Sequence, residues 1–145
     1  MKIFLCLLVI ALSLAACDTS KMTQTPENRF IGTWQLEGRG MLDSVQVSIQ
    51  RNKDGDLQGR IAKLNSNKYV QLFVDSGSVL ISKIVRNSNF EFSVTEKRVG
   101  SELFSVYDLP SSSEFKVEFI SNDLIGLTSG NAKAKDSKML YRRVK

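Results

Sequence analysis

Histidine is absent from the chain. With it go the usual general base, the commonest metal ligand, and every Ser-His-Asp or Cys-His arrangement. Cysteine is limited to Cys6 and Cys17. Everything after Cys17 therefore lacks a thiol, forms no disulfide, and must hold itself together by packing even in an oxidising compartment. Proline is limited to Pro26 and Pro110. The longest apolar run, Ile3 to Leu14, falls short of the ~20 residues a helix needs to span a bilayer. No nucleophile-base pair and no metal set can be assembled from what remains, so neither an enzyme nor a cofactor is expected. The nearest paired carboxylates, Asp54 and Asp56 in Lys53-Asp54-Gly55-Asp56, read as a turn.

Charge of one sign is also modest. Twenty Lys+Arg stand against fifteen Asp+Glu, a formal +5. Most of these charges are scattered. Dense clusters occur only over Lys133 to Lys138 and at Arg142-Arg143 with Lys145. That distribution suits a solvated surface beside anionic lipid and does not point to nucleic acid.

From Phe30 onward apolar residues recur with a period of two. Val45, Val47 and Ile49 alternate with polar neighbours, as do Phe90, Phe92 and Val94, and then Phe115, Val117 and Phe119. This is the pattern of strands with one face in a core and the other in water. Turn signals separate the runs every 8–14 residues or so, as at Asn65-Ser66-Asn67, Asp75-Ser76-Gly77 and Pro110-Ser111-Ser112-Ser113. The spacing predicts strands over 32–39, 43–51, 57–64, 68–74, 78–86, 89–98, 102–108, 114–121, 123–128 and 138–144, with a loop over 130–137. Short connections make sequence neighbours antiparallel neighbours. The expected fold is all-β: an up-and-down antiparallel meander closed into a barrel of about 8–10 strands, which also removes exposed edges. Trp34, Leu36, Val45, Val47, Ile49, Phe90, Phe92, Val94, Phe115, Val117 and Phe119 form the expected inward set. Gly38, Gly59 and Gly126 are placed to make room or to kink strands for closure. Tyr69, Phe73, Phe104 and Tyr107 are candidates for a rim or a partner surface.

At the front, Lys2 precedes the apolar run, and Leu14-Ala15-Ala16-Cys17 closes it. The layout is that of a secretory signal, and its end resembles a bacterial lipobox. The resemblance implies cleavage after Ala16 and diacylglyceryl modification of Cys17. Residues 1–16 are then a lipoprotein signal peptide, and 17–29 are the lipidated cysteine with a flexible polar tether. The domain occupies 30–145. The implied location is the bacterial cell envelope, lipid-anchored to a membrane outside the cytoplasm. By the same resemblance, Asp18 after the modified cysteine implies inner-membrane retention in enteric-type cells.

Gly32-Thr33-Trp34, just inside the first strand, resembles the G-x-W of the lipocalin-like group, and so does the arginine-bearing last strand, Leu140-Tyr141-Arg142-Arg143-Val144. The resemblance implies that a late arginine packs across Trp34 and closes one end of the barrel. Either Arg142 or Arg143 fits. Alternation places Arg142 on the face of Leu140 and Val144 and favours it. The second lipocalin signature, a T-D-Y in a late loop, is missing, and no flanking helix is evident. Two functions follow as expectations. One is a membrane-anchored binding module holding a small apolar or amphipathic ligand. The other is a protein-interaction or inhibitor lipoprotein with a filled barrel. A barrel of this size either fills its interior with side chains or leaves room for one small ligand.

Overall fold

A computed structural model describes residues 24–145; the expected leader, Cys17 and the first part of the tether lie outside the described residues. Eight strands form the wall: β1 (Gly32–Glu37), β2 (Gln46–Arg51), β3 (Leu57–Lys63), β4 (Val79–Arg86), β5 (Glu91–Lys97), β6 (Ser112–Ser121), β7 (Leu124–Thr128) and β8 (Met139–Arg143). Each pairs antiparallel with its sequence neighbour, and β8 returns to β1, so the sheet is a closed barrel. The expected all-β meander is the observed architecture.

The period of two does the sorting. Trp34 and Leu36 on β1, Val47 and Ile49 on β2, and Phe92 and Val94 on β5 are fully buried. Val117, Ile125, Leu127 and Tyr141 join them in one continuous cluster of nineteen buried side chains. Around Gly59 the interior is closely packed. A methyl added at Gly59 on β3 would sit 2.8 Å from both Ile81 and Val47, closer than carbon atoms approach without strain. Gly59 makes room, but the room is already taken by its neighbours. Gly38 serves a different end. It adopts φ +66°, and a Cβ there would run into the Lys138 carbonyl, so only glycine suits this turn after β1.

Two of the ten expected strands are short helices. Residues 68–74 contain α1 (Lys68–Phe73), and 102–108 overlap α2 (Ser101–Val106). Asn67 starts α1 by accepting from the backbone N–H of Tyr69 and Val70 at 2.9 and 3.3 Å, the standard chemistry of an N-cap. Gly100 enters α2 at φ +74°. Only Val70 of α1 and no residue of α2 is buried. Neither segment thus has the two-sided pattern a wall strand requires. A further correction concerns Phe90, which is half exposed rather than inward. It lies in the turn before β5, where the Ser88 hydroxyl accepts from Phe90 N and Glu91 N, and the inward alternation starts two residues later at Phe92. Phe115, by contrast, packs against the core from a half-buried position.

The two ends of the barrel differ. At one end the connections are short: the β2–β3 turn at 52–56, the β4–β5 turn at 87–90 and the β6–β7 turn at 122–123. Asn52 Oδ1 accepts from Asp54 N and Asp56 N there, giving the expected turn. Both the incoming chain and the end of β8 lie at this same end. The other end carries the long connections, with α1 between β3 and β4, and α2 between β5 and β6.

Candidate binding surface at the open end of the barrel

The end with short turns is sealed. A single turn of 3-10 helix, Glu27–Phe30, lies across it, and Phe30 is fully buried. Its ring meets Phe92 and Phe119 edge-on at 4.9 and 4.8 Å between centroids, a favoured aromatic geometry. Trp34 beneath is also fully buried, and its indole N–H donates to the Phe30 carbonyl at 2.7 Å. The cation over that indole is Arg143, 4.1 Å from guanidinium carbon to ring centroid. Arg143 also donates to the Ile31 and Arg29 carbonyls at 2.9 and 2.6 Å, which ties the 3-10 turn to the last strand.

Arg142, which alternation on β8 favoured for this place, points outward. It makes a bidentate pair with Glu37, at 2.8 and 3.0 Å. That hydrogen bond first, and Glu37's charge second, raise the Arg142 pKa above its ordinary value. The reason for the reversal is Tyr141. Register sets Leu36 against Tyr141 and Trp34 against Arg143, so the odd-numbered residues of β8 face inward and Tyr141 is buried. Two more arginines lie over rings at this end, Arg29 on Phe119 at 4.4 Å and Arg86 on Phe92 at 4.6 Å. Arg86 also donates to the Thr25 carbonyl at 2.7 Å, and Thr25 N donates to Asn89 O at 2.9 Å. Residues 25–29, grouped with the tether on sequence, are therefore part of the barrel.

The opposite mouth is polar inside. Glu96, the third inward residue of β5 after Phe92 and Val94, is 3% exposed. Arg39 grips both of its oxygens, at 2.9 and 2.5 Å, and the Tyr141 hydroxyl donates to the same carboxylate. The Arg39 guanidinium in turn lies 4.7 Å over the Phe115 ring. All three polar groups are satisfied, as a buried cluster requires. Sequence reasoning passed over Arg39 and Glu96, because the apolar alternation on β5 stops at Val94 and the next inward position is a charge. The signal was its even spacing from Phe92 and Val94.

Above this cluster lies a pocket of about 260 Å³, lined in part by Met41, Leu42, Phe104 and Phe115. Beside it a larger groove, about 560 Å³, runs between α1 and α2, with Leu72 and Phe73 on one bank, Leu103 on the other, and Val99 at its floor. Lys97 and Arg98 border both. The apolar side chains left in water gather here. Seven of the thirteen exposed large hydrophobics among the described residues belong to the two connections that carry α1 and α2: Tyr69, Leu72, Phe73, Leu103, Val106, Tyr107 and Leu109. Leu72, Val106 and Tyr107 are each more than 70% exposed. Scattered singletons would be ordinary, whereas a gathered patch marks an interaction surface. Of the rim candidates on sequence, Phe73 lines the larger groove and Phe104 the smaller pocket, while Tyr69 and Tyr107 are exposed on the same two connections.

Among the described residues no group of three or more acidic or cysteine side chains is placed to hold a metal, and no helix is long and apolar enough to cross a membrane. Comparison with protein-family models, curated proteins and solved structures finds no match for the chain.

Proposed function

We propose that the chain is a lipid-anchored lipoprotein of the bacterial envelope, held by Cys17, whose lipocalin-like barrel is a filled, rigid support and whose open end binds another envelope protein. The observation that carries this reading is the division between inside and outside. The interior is packed so closely that Gly59 has no space for a methyl, while five exposed aliphatic and aromatic side chains lie on α1 and α2, three of them, Leu72, Phe73 and Leu103, lining one groove. Aromatic and aliphatic anchors with adjacent Lys97 and Arg98 have the composition of a protein interface. The Trp34–Arg143 closure supports the lipocalin-like resemblance, and the lipobox-like Leu14-Ala15-Ala16-Cys17 supports the anchor.

A second reading has one observation in its favour. The pocket of about 260 Å³ above Arg39 and Glu96 has apolar walls and a charged floor, which suits a small amphipathic ligand at the mouth rather than inside the barrel. Native mass spectrometry of the protein purified from its own membranes separates the two. The first reading expects the protein mass with its acyl groups and no further small molecule. A stoichiometric amphiphile that survives mild ionisation would replace it with the second.

A further inference from the structure

The sealed end is where the chain enters the barrel. Thr25 is buried there, held through its own carbonyl and N–H by Arg86 and Asn89, and Gln24 Nε2 donates to Asn89 Oδ1 at 3.1 Å. Cys17 lies eight residues before Thr25. Fully extended, that stretch reaches about 26–29 Å. Only the barrel together with its helical layer is taller. β4 and β6 are eight and ten residues long, which at about 3.4 Å per residue and a tilt near 40° gives a wall of roughly 20–25 Å. The layer of α1 and α2 beyond it adds about 10 Å, the thickness of a helix. A taut tether running the length of the wall passes the rim but ends short of the outer side of that layer.

We infer that the sealed end rests on the bilayer that holds Cys17, with Phe90 as its contact, and that the open end is presented away from that bilayer. This rests on the lipid anchor proposed above. Phe90 follows Asn89, the residue that clasps the incoming chain, and it is half exposed at the tip of the β4–β5 turn. Ile31 is exposed at the same end. An aromatic ring at a turn tip, beside the entry point of a short tether, suits the interfacial layer of a membrane, where amphipathic contacts gain from partial burial. The charges around it do not oppose approach. Arg51 and Arg86 share Glu27, while Arg143 and Lys145 share Asp123, so four cations face two carboxylates and this end meets anionic headgroups with an excess of positive charge. The consequence for the apolar face on α1 and α2 is that its occupant is not the anchoring membrane.

The test places a nitroxide at either end of the lipidated protein. Phe90→Cys and Leu103→Cys alter exposed side chains, and a lipidated Cys17 has no free thiol, so the label goes to the new cysteine alone. Each variant is reconstituted into vesicles, and relaxation by lipid-soluble oxygen is compared with relaxation by a water-soluble nickel chelate. The inference expects oxygen to dominate at position 90 and nickel at position 103. Oxygen dominance at position 103, or nickel dominance at both, overturns the orientation while leaving the anchor intact. Intact mass of the same samples separates the two claims: a Cys17 without diacylglycerol removes the anchor, and the orientation with it.

Discussion

Trp34 and Arg143 face each other across the seam that closes the barrel, β1 against β8, with the guanidinium 4.1 Å above the indole centroid. The pair does two jobs. The indole plugs the sealed end, and the guanidinium ties the 3-10 turn to the last strand through the Arg29 and Ile31 carbonyls. Trp34→Ala should lower stability by about 3–5 kcal/mol, the range for losing a large buried aromatic. Chemical denaturation of the soluble domain measures it, and a loss under ~1 kcal/mol would mean the ring is not a core element.

The two adjacent arginines should behave very differently. Arg143→Ala removes a ring contact worth about 0.5–2 kcal/mol and leaves two carbonyls without their charged donor, so the denaturation midpoint should fall clearly. Arg142→Ala removes only an exposed pair with Glu37, a class of interaction that contributes little, and the midpoint should stay within error. Equal effects from the two variants would contradict the register read for β8.

The Arg39–Glu96–Tyr141 cluster invites a cycle of substitutions. Removing one partner alone, as in Glu96→Ala, strands a charge that is 7% exposed and should destabilise by about 3–5 kcal/mol. Replacing all three groups, as Arg39→Met, Glu96→Leu and Tyr141→Phe, should recover most of that loss, because no buried polar group is then left unpaired. A triple variant as unstable as the single one would show that the cluster does more than satisfy itself.

Gly59 reports on the filling of the barrel. Gly59→Ala forces a methyl against Ile81 and Val47, and overpacking of this kind costs about 1–3 kcal/mol. An unchanged or raised midpoint would mean that the interior has slack, and the case for a small enclosed ligand would be stronger.

The wall of the barrel was legible because alternation is a local signal: Val47, Ile49, Phe92, Val94, Val117 and Phe119 each declare their facing within a few residues. The open end was less so. The stretch Tyr69 to Phe73 is rich in residues that favour strands, and only the Asn67 cap told against it. In 101–106 the spacing of Leu103 from Val106 and Tyr107 follows a helix, but six residues carry too little periodicity to decide. Arg142 was favoured over Arg143 because facing on β8 was counted from Leu140 and Val144. The inward residue is Tyr141, an aromatic whose hydroxyl is satisfied by a glutamate forty-five positions away. Long-range satisfaction of that kind leaves no mark in the neighbouring sequence. Glu96 did carry a local mark, its even spacing from Phe92 and Val94, but nothing nearby named its partner Arg39, fifty-seven positions off.

The central claim is that the open end, and not the barrel interior, is the binding surface, and that its partner is a protein. Placing a photoreactive benzoylphenylalanine at Leu103, and as a control at the wall position Ser48, tests it in living cells. The account expects one discrete protein adduct from position 103, identified by mass and lost when Leu72→Asp and Val106→Asp are introduced, with none from position 48. Adducts of equal yield from both positions, a lipid adduct alone from position 103, or no adduct there at all would contradict it.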